Sequence, residues 1–161
     1  MDFTAPPKLR VNPNQMSTDQ TTLQAAGLFF IRALLGIIFF MQGYGKIFTF
    51  GVTKVYEMFF KDFEKTFLPK SLVLFTAYYT SYIELIGGFL LITGLFRKYA
   101  LFLLAADLLI VSFGHGLMEP IWDLSHVTPR AVLLASLFLL PVSWDRWNID
   151  ALVKRGIGLN R

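Results

Sequence analysis

The order of apolar and polar residues divides the chain into long apolar segments separated by short polar ones. The apolar segments lie at about 25–47, 72–96, 98–118 and 127–144. A helix of about 20 apolar residues is long enough to cross the hydrocarbon core of a bilayer. The pattern therefore predicts an all-α protein, a transmembrane four-helix bundle whose short fourth helix carries Pro141 near its end.

A different periodicity occupies the connection between the first two apolar segments. Over about 52–67, apolar and mostly aromatic residues recur at helical spacing, while lysine and glutamate residues take the opposite face. Such an amphipathic pattern is typical of a helix that lies in the membrane interface with its apolar side towards the lipid. We expect one interfacial helix here.

Both ends of the chain are polar. Residues 1–22 are rich in proline, asparagine, glutamine and threonine and have no apolar periodicity, which predicts a disordered tail. Residues 23–146 would then form the membrane domain, and residues 147–161 a basic C-terminal tail. Lysine and arginine are more numerous on the side that carries both termini. The positive-inside rule therefore places both termini in the cytoplasm, with the protein in a bacterial-type inner membrane.

Composition supports a membrane environment. Of 161 residues, 55% are hydrophobic and 16% are charged, whereas about a quarter of the residues of a soluble domain are charged. We therefore expect membrane lipids as neighbours. The net charge of +4 is modest and forms no basic cluster on a soluble fold, so we expect no nucleic-acid partner.

The chain has no cysteine and only two histidines. This composition excludes disulfides, thiolate metal sites and cysteine-ligated iron–sulfur clusters. The two histidines have no spacing that supports a haem. We therefore expect no haem, iron–sulfur cluster or metal within this chain.

Glu84 is a charged residue within the second apolar segment, in "TSYIELIGGFLLITGLF". Ala77, Ser81, Glu84 and Gly88 follow at helical spacing on one stripe. Small residues allow a neighbouring helix to approach closely, so Glu84 is expected to face the bundle interior. No cation lies at an obviously matching level. Because an ionisable group at such depth is costly unless it is paired or hydrated, it marks a candidate functional site.

Other polar residues lie at comparable depths in neighbouring segments. The first and third segments run in the same direction, so Arg32 and Asp107 are expected to meet at one level. Gln42 and His115 both lie close to the opposite surface, with Glu84 between the two levels. Arg32 and Asp107 are predicted to form an ion pair, and the pattern leaves open whether that pair is structural or functional.

Several short motifs occur together in a characteristic order. They are the Arg32-to-Gly36 spacing, "GYGKIF", "ELIGG", "GLFRK", Asp107 and "RWNIDALV". Over about residues 25–155 the chain resembles the DoxX/DoxD-like family of small four-helix membrane proteins. Members of that family commonly have a His–Gly pair where this chain has Gln42–Gly43. A titrating role does not transfer to this position, because a glutamine amide cannot titrate.

The resemblance implies a quinone-linked function, because some members of the family take part in quinone-linked oxidation, including thiosulfate:quinone oxidoreductase. A quinone headgroup needs hydrogen-bond donors and titratable acceptors at an apolar site. The candidates for binding it are Glu84, His115, Gln42, Tyr82 and Tyr44, and those for proton chemistry are Glu84, Asp107 and His115. The chain would be a membrane subunit, since its electron donor must come from another subunit or a soluble partner.

A second interpretation is a non-catalytic membrane scaffold or accessory subunit. In that case the buried charges fix the pairing of the helices, and the tails and the amphipathic helix dock onto partner proteins. A carrier of protons or small molecules is less well supported, because no inverted repeat or broken helix is evident.

Overall fold

A computed structural model of the chain describes residues 13–119, 121 and 125–156. In this part of the chain all the regular elements are helical, so the all-α prediction is confirmed. The α-helices are α1 (Pro13–Tyr44), α2 (Val52–Val55), α3 (Lys70–Thr93), α4 (Arg97–Met118), α5 (Thr128–Leu139) and α6 (Ile149–Gly156).

Three helical stretches are long and apolar enough to cross a membrane. They are Thr18–Phe50, Lys70–Thr93 and Arg97–Met118. The first three predicted segments are thus confirmed as helices, with ends that agree to within a few residues for the second and third. Gly94, whose φ of 70° is readily adopted without a side chain, ends α3.

The fourth apolar segment forms a shorter helix than expected. α5 has 12 residues, or about 18 Å at a rise of 1.5 Å per residue. It ends at Leu139 instead of reaching residue 144. Pro141 lacks an N–H group and forces the preceding Leu140 into an extended conformation with a ψ of 137°. A short 3₁₀ turn, Val142–Trp144, follows.

Helices occupy the described parts of both polar ends. α1 begins at Pro13, so residues 13–22 are helical and the predicted tail of residues 1–22 is too long. Helix formation propagates cheaply once a helix has started, so a polar segment next to an apolar helix can extend it. α6 lies within the predicted C-terminal tail. Residues 1–12 and 157–161 lie outside the described part of the chain.

The connection between α1 and α3 is not one helix. A π-helical turn, Gly45–Phe50, continues α1, and α2 is followed by a second π-helical turn and a 3₁₀ turn. Gly51 separates the first turn from α2, with a φ of 81° that favours glycine. Contiguous helical turns cover residues 52–65, so the prediction of a helix over about 52–67 is confirmed in extent, but only its first four residues are α-helical.

The aromatic face of this connection packs partly on protein. Tyr56 is buried against Val73 and Ala77 of α3. Phe59 and Phe67 are 62% and 76% exposed. The periodicity therefore identified the apolar face, but α3 covers part of the surface that was expected to face lipid.

Glycines bring α1 and α3 into close contact. A Cβ atom on Gly36 would lie 2.8 Å from the backbone nitrogen of Ile92, and one on Gly43 or Gly88 would overlap the backbone of the facing helix. Between transmembrane helices, where no hydrophobic effect drives association, such close packing is a main source of attraction. It also sets the C-terminal end of α1 directly against the middle of α3.

Candidate functional site

Glu84 lies on the buried stripe of α3, as the pattern of small residues predicts. Its exposure is 1%, and Ala77 and Ser81 on the same stripe are fully buried. The Ser81 hydroxyl donates to the carbonyl of Ala77 in the preceding turn, at 2.7 Å. The groups that neutralise the Glu84 carboxylate therefore come from other helices.

Two cations approach the Glu84 carboxylate. Lys46 Nζ lies 2.5 Å from Glu84 Oε2, and Arg130 Nη1 lies 3.9 Å from Glu84 Oε1. Lys46 is in the π-helical turn Gly45–Phe50, where a wider turn changes the direction of its side chain relative to an α-helix. The expectation that no cation matches the level of Glu84 is thus wrong.

Arg130 connects Glu84 to Gln42. It lies in the first turn of α5 and is 7% exposed. Its Nη1 donates to Gln42 Oε1 at 2.7 Å, and its Nε donates to the carbonyl of His126 at 2.5 Å. The guanidinium carbon also lies 5.8 Å from the centre of the Phe39 ring. These contacts hold Arg130 in a fixed orientation beside Glu84.

Asp107 lies in the same region but is bonded differently. It is fully buried in α4, and no described residue hydrogen-bonds to either of its carboxylate oxygens. Glu84, Lys46 and Arg130 are near enough for their charges to act on it. We call Gln42, Lys46, Glu84, Asp107 and Arg130 the Glu84 cluster. In this cluster, Asp107 offers hydrogen-bond acceptors that the described protein groups do not use.

Arg32 does not pair with Asp107, which corrects the predicted ion pair. Its Nε lies 3.5 Å from Asp145 Oδ1. Its terminal nitrogens donate to three backbone carbonyls, those of Leu91, of Ile92 at 3.0 Å and of Trp147 at 2.6 Å. Equal depth in two helices does not fix their rotation, and Arg32 is turned towards the end of α3 and the segment after α5.

Asp145 is shared by two arginines. Arg97, at the start of α4, donates from Nη1 to Asp145 Oδ2 at 3.3 Å and from Nη2 to the carbonyl of Leu137 at 2.7 Å. We call Arg32, Arg97 and Asp145 the Arg32 cluster. Arg32 and Gln42 are ten residues apart on α1, which separates the two clusters by about 15 Å along that helix.

The remaining candidate residues lie on the outside of the molecule. Tyr44 and Tyr82 are 44% and 46% exposed. His115 is also exposed, in the last turn of α4. The structure therefore brings Gln42, Glu84 and Asp107 together and leaves His115, Tyr44 and Tyr82 at the surface.

Four residues of the two clusters were not chosen as site residues from the sequence. They are Lys46, Arg97, Arg130 and Asp145, which the sequence presents as charges at the ends of apolar segments. The available signal for Lys46 was its place in "GYGKIF", at the very end of an apolar stretch. Among the described residues, no three His, Cys, Asp or Glu side chains are grouped as a metal site.

A comparison with protein-family models identifies the family of the chain. The sequence model of the DoxX family matches residues 27–116, more than half of the chain. The chain belongs to the DoxX family. This DoxX protein is, by its family and its apolar helices, an integral membrane protein. No curated protein and no solved structure matches it.

The motifs that carry the family resemblance converge on the two clusters. Lys46 of "GYGKIF", Glu84 of "ELIGG" and Asp107 belong to the Glu84 cluster, whereas Arg32 and Arg97 belong to the Arg32 cluster. The family match ends at residue 116, so the segment that supplies the remaining cluster residues from α5 and beyond lies outside it.

Proposed function

We propose that this DoxX protein is an integral membrane subunit of a quinone-linked redox assembly, in which the Glu84 cluster is the polar site for a quinone headgroup or its proton. The observation that carries the proposal is Asp107, a buried carboxyl that accepts no hydrogen bond from the described residues and lies within the electrostatic influence of two cations and a second carboxylate. Buried ionisable groups in membrane helices mark sites of ligand or proton chemistry by default.

The chemistry of the cluster suits a quinone in either redox state. An oxidised quinone presents carbonyl oxygens that accept hydrogen bonds, and Lys46 and Arg130 are donors. A reduced quinone presents hydroxyl groups that donate, and the Asp107 oxygens accept from no group in the described part of the chain. The Lys46 side chain is 25% exposed, so the cluster reaches the outer surface of the bundle, where a lipid-soluble headgroup approaches.

The same proposal includes a topology. α5, together with the extended residues at 140–141 and the turn Val142–Trp144, forms a short fourth span that completes a four-helix bundle. Both termini lie on the cytoplasmic side of a bacterial inner membrane. The electron donor belongs to another subunit or a soluble partner, since the chain has no cysteine that could hold an iron–sulfur cluster.

The test is the variant Glu84→Gln, which keeps the shape of the side chain and removes its charge. Glu57→Gln is the matched control, because Glu57 is an exposed glutamate in the connection before α3. Quinone is extracted and quantified from protein purified in mild detergent, and quinone-dependent turnover is measured in native membranes. We expect the wild type and Glu57→Gln to retain quinone, and Glu84→Gln to lose it and to lose turnover at least about tenfold, a loss of at least about 1.4 kcal/mol.

A second variant separates loss of function from loss of fold. Asp107→Asn breaks no hydrogen bond among the described residues, so the variant is expected to fold. Under the proposal it weakens quinone retention without lowering thermal stability. Normal quinone retention and turnover in both variants would contradict the assignment of the site.

The alternative function is a non-catalytic membrane scaffold or accessory subunit. The Arg32 cluster favours it, because this cluster ties α1, α3 and α4 to the segment after α5 and leaves its arginines engaged mainly with backbone carbonyls. The two functions differ in a purification from native membranes in mild detergent. A scaffold is recovered with stoichiometric partners, and repeated recovery of this chain alone would rule it out.

A further inference from the structure

A groove lies between the first turn of α4 and the last turn of α5. Its volume is about 370 Å³. Phe102, Leu137 and Phe138 contribute to an apolar wall, and Arg97 and Lys98 lie one turn of α4 nearer its start, at the rim. A groove with an apolar wall and a cationic rim has the chemistry of a site for an anionic amphiphile.

The positive charge at this rim is not fully neutralised. Arg97 and Arg32 share the single carboxylate of Asp145. Arg97 is 8% exposed, and no described residue accepts a hydrogen bond from its Nε–H group. Lys98, the next residue, is exposed. A buried guanidinium that has an unused N–H donor and shares a carboxylate with a second arginine favours an additional anion beside it.

One carboxylate, Asp150 of α6, also lines the groove. Its Oδ2 accepts from the backbone N–H of Phe96 at 3.0 Å, directly before α4. The start of a helix carries unpaired N–H groups and a partial positive charge, and both favour anions. Asp150 uses one of these groups. Asp145 and Asp150 together balance two of the three cations Arg32, Arg97 and Lys98, so one positive charge remains in excess.

We propose that this groove binds an anionic phospholipid, with its phosphate at the rim formed by Arg97 and Lys98 and an acyl chain along Phe102 and Phe138. Under the proposed topology, the groove lies at the cytoplasmic surface, where basic side chains meet anionic headgroups. The phospholipid then contacts both the basic rim and the apolar wall of the groove. A free phosphate ion would use only the rim, and a lipid without net charge would use mainly the apolar wall.

The experiment measures lipid binding to the delipidated full chain in detergent. Phosphatidylglycerol and phosphatidylcholine with identical acyl chains are titrated separately, and the dissociation constants are obtained by native mass spectrometry. We expect phosphatidylglycerol to bind at least about tenfold more tightly, and inorganic phosphate to displace it poorly. Because Lys98 is exposed, Lys98→Gln is expected to fold, unlike a variant of the buried Arg97.

Lys98→Gln is expected to weaken phosphatidylglycerol binding about fivefold, which corresponds to about 1 kcal/mol for one cation at an anionic headgroup. Phosphatidylcholine binding stays the same. The matched control is Lys54→Gln, an exposed lysine of α2 outside the groove. Phe102→Ala weakens the binding of both lipids by the same factor, because it removes contacts with the acyl chain.

Three results would overturn the assignment. Equal affinity for the two lipids would mean that the rim does not select a headgroup. Efficient displacement by inorganic phosphate would make the rim a small-anion site. Equal losses in Lys98→Gln and Lys54→Gln would reduce the effect to non-specific charge. None of these results depends on quinone binding at the Glu84 cluster.

Discussion

The two buried charge clusters of this DoxX protein differ in the partners that their charges find. In the Arg32 cluster, the guanidiniums of Arg32 and Arg97 donate mainly to backbone carbonyls, most of them in the last turns of α3 and α5, and share Asp145. In the Glu84 cluster the contacts run largely between side chains, and Asp107 has no donor among the described residues.

This difference separates a structural use of buried charge from a functional one. Backbone carbonyls at the ends of helices have no partner within the helix, so an arginine that binds several of them fastens those ends together. Side-chain partners can exchange protons or rearrange around a ligand. A carboxyl that accepts no hydrogen bond can also accept one from a ligand. We therefore expect mutations in the Arg32 cluster to act on stability and mutations in the Glu84 cluster to act on binding.

The largest effect is expected from Arg32→Met, which keeps the apolar stem of the side chain and removes its guanidinium. Three carbonyls lose a donor and Asp145 loses one of its two cations. The free energy of unfolding should fall by about 3–5 kcal/mol, measured by unfolding in mixed micelles. Arg146→Met, at an exposed arginine, is the control and should have little effect. A small loss of unfolding free energy in Arg32→Met would show that this cluster does not hold the helix ends together.

The same substitution at two aspartates compares the clusters directly. Asp145→Asn leaves two guanidiniums without a counterion and should lower the free energy of unfolding by about 3 kcal/mol. Asp107→Asn removes a carboxylate to which no described residue donates, so stability should stay the same or rise by up to about 1 kcal/mol. Both variants are measured in the same mixed micelles. Equal losses would mean that the two clusters have the same role.

A smaller effect is expected from Gly43→Ala, next to Gln42 on α1. The added Cβ would overlap the backbone of Leu85 on α3 and push the two helices apart beside Glu84. Overpacking of this kind costs about 1–3 kcal/mol, and quinone retention should fall with it. Gly27→Ala is the matched control, because no atom lies within 4 Å of its added Cβ. Similar stability and quinone retention in both variants would contradict the close contact.

The smallest effect is expected at an exposed ion pair, Asp62 with Lys65, whose atoms lie 2.6 Å apart. The hydrogen bond from Lys65, together with its charge, holds the pKa of Asp62 below its ordinary value. The small stabilisation that results is present above the unfolded-state pKa and is lost as the pH falls through the lower, folded-state pKa. Lys65→Gln should raise the pKa of Asp62 towards its ordinary value in an NMR titration without measurably changing unfolding, because solvent screens the pair.

Much of the helical framework could be predicted from the sequence. The apolar segments predict the bounds of α3 and α4 to within a few residues. The stripe of small residues on the same face as Glu84 predicts the burial of Glu84. These features depend on local periodicity, which one segment carries by itself. Pro141 is also evident in the sequence, but the predicted fourth segment extends past it to residue 144, whereas α5 ends at Leu139.

The partners of the buried charges could not be predicted in the same way. Arg32 and Asp107 lie at similar depths, but pairing also requires that two helices turn the right faces towards each other, and each residue along a helix rotates the face by about 100°. The π-helical turn that redirects Lys46 and the contacts of Asp145 with Arg32 of α1 and Arg97 of α4 have no local signature in the sequence. The structure was needed for both.

The position of Asp145 in the chain has a consequence for biosynthesis. The ribosome makes Arg32 and Arg97 before it makes the carboxylate that both of them contact. Neither guanidinium can meet this counterion until the residues after α5 have been made. The ion pairs that join α1 and α4 to the segment after α5 are therefore among the last contacts of the two clusters to form.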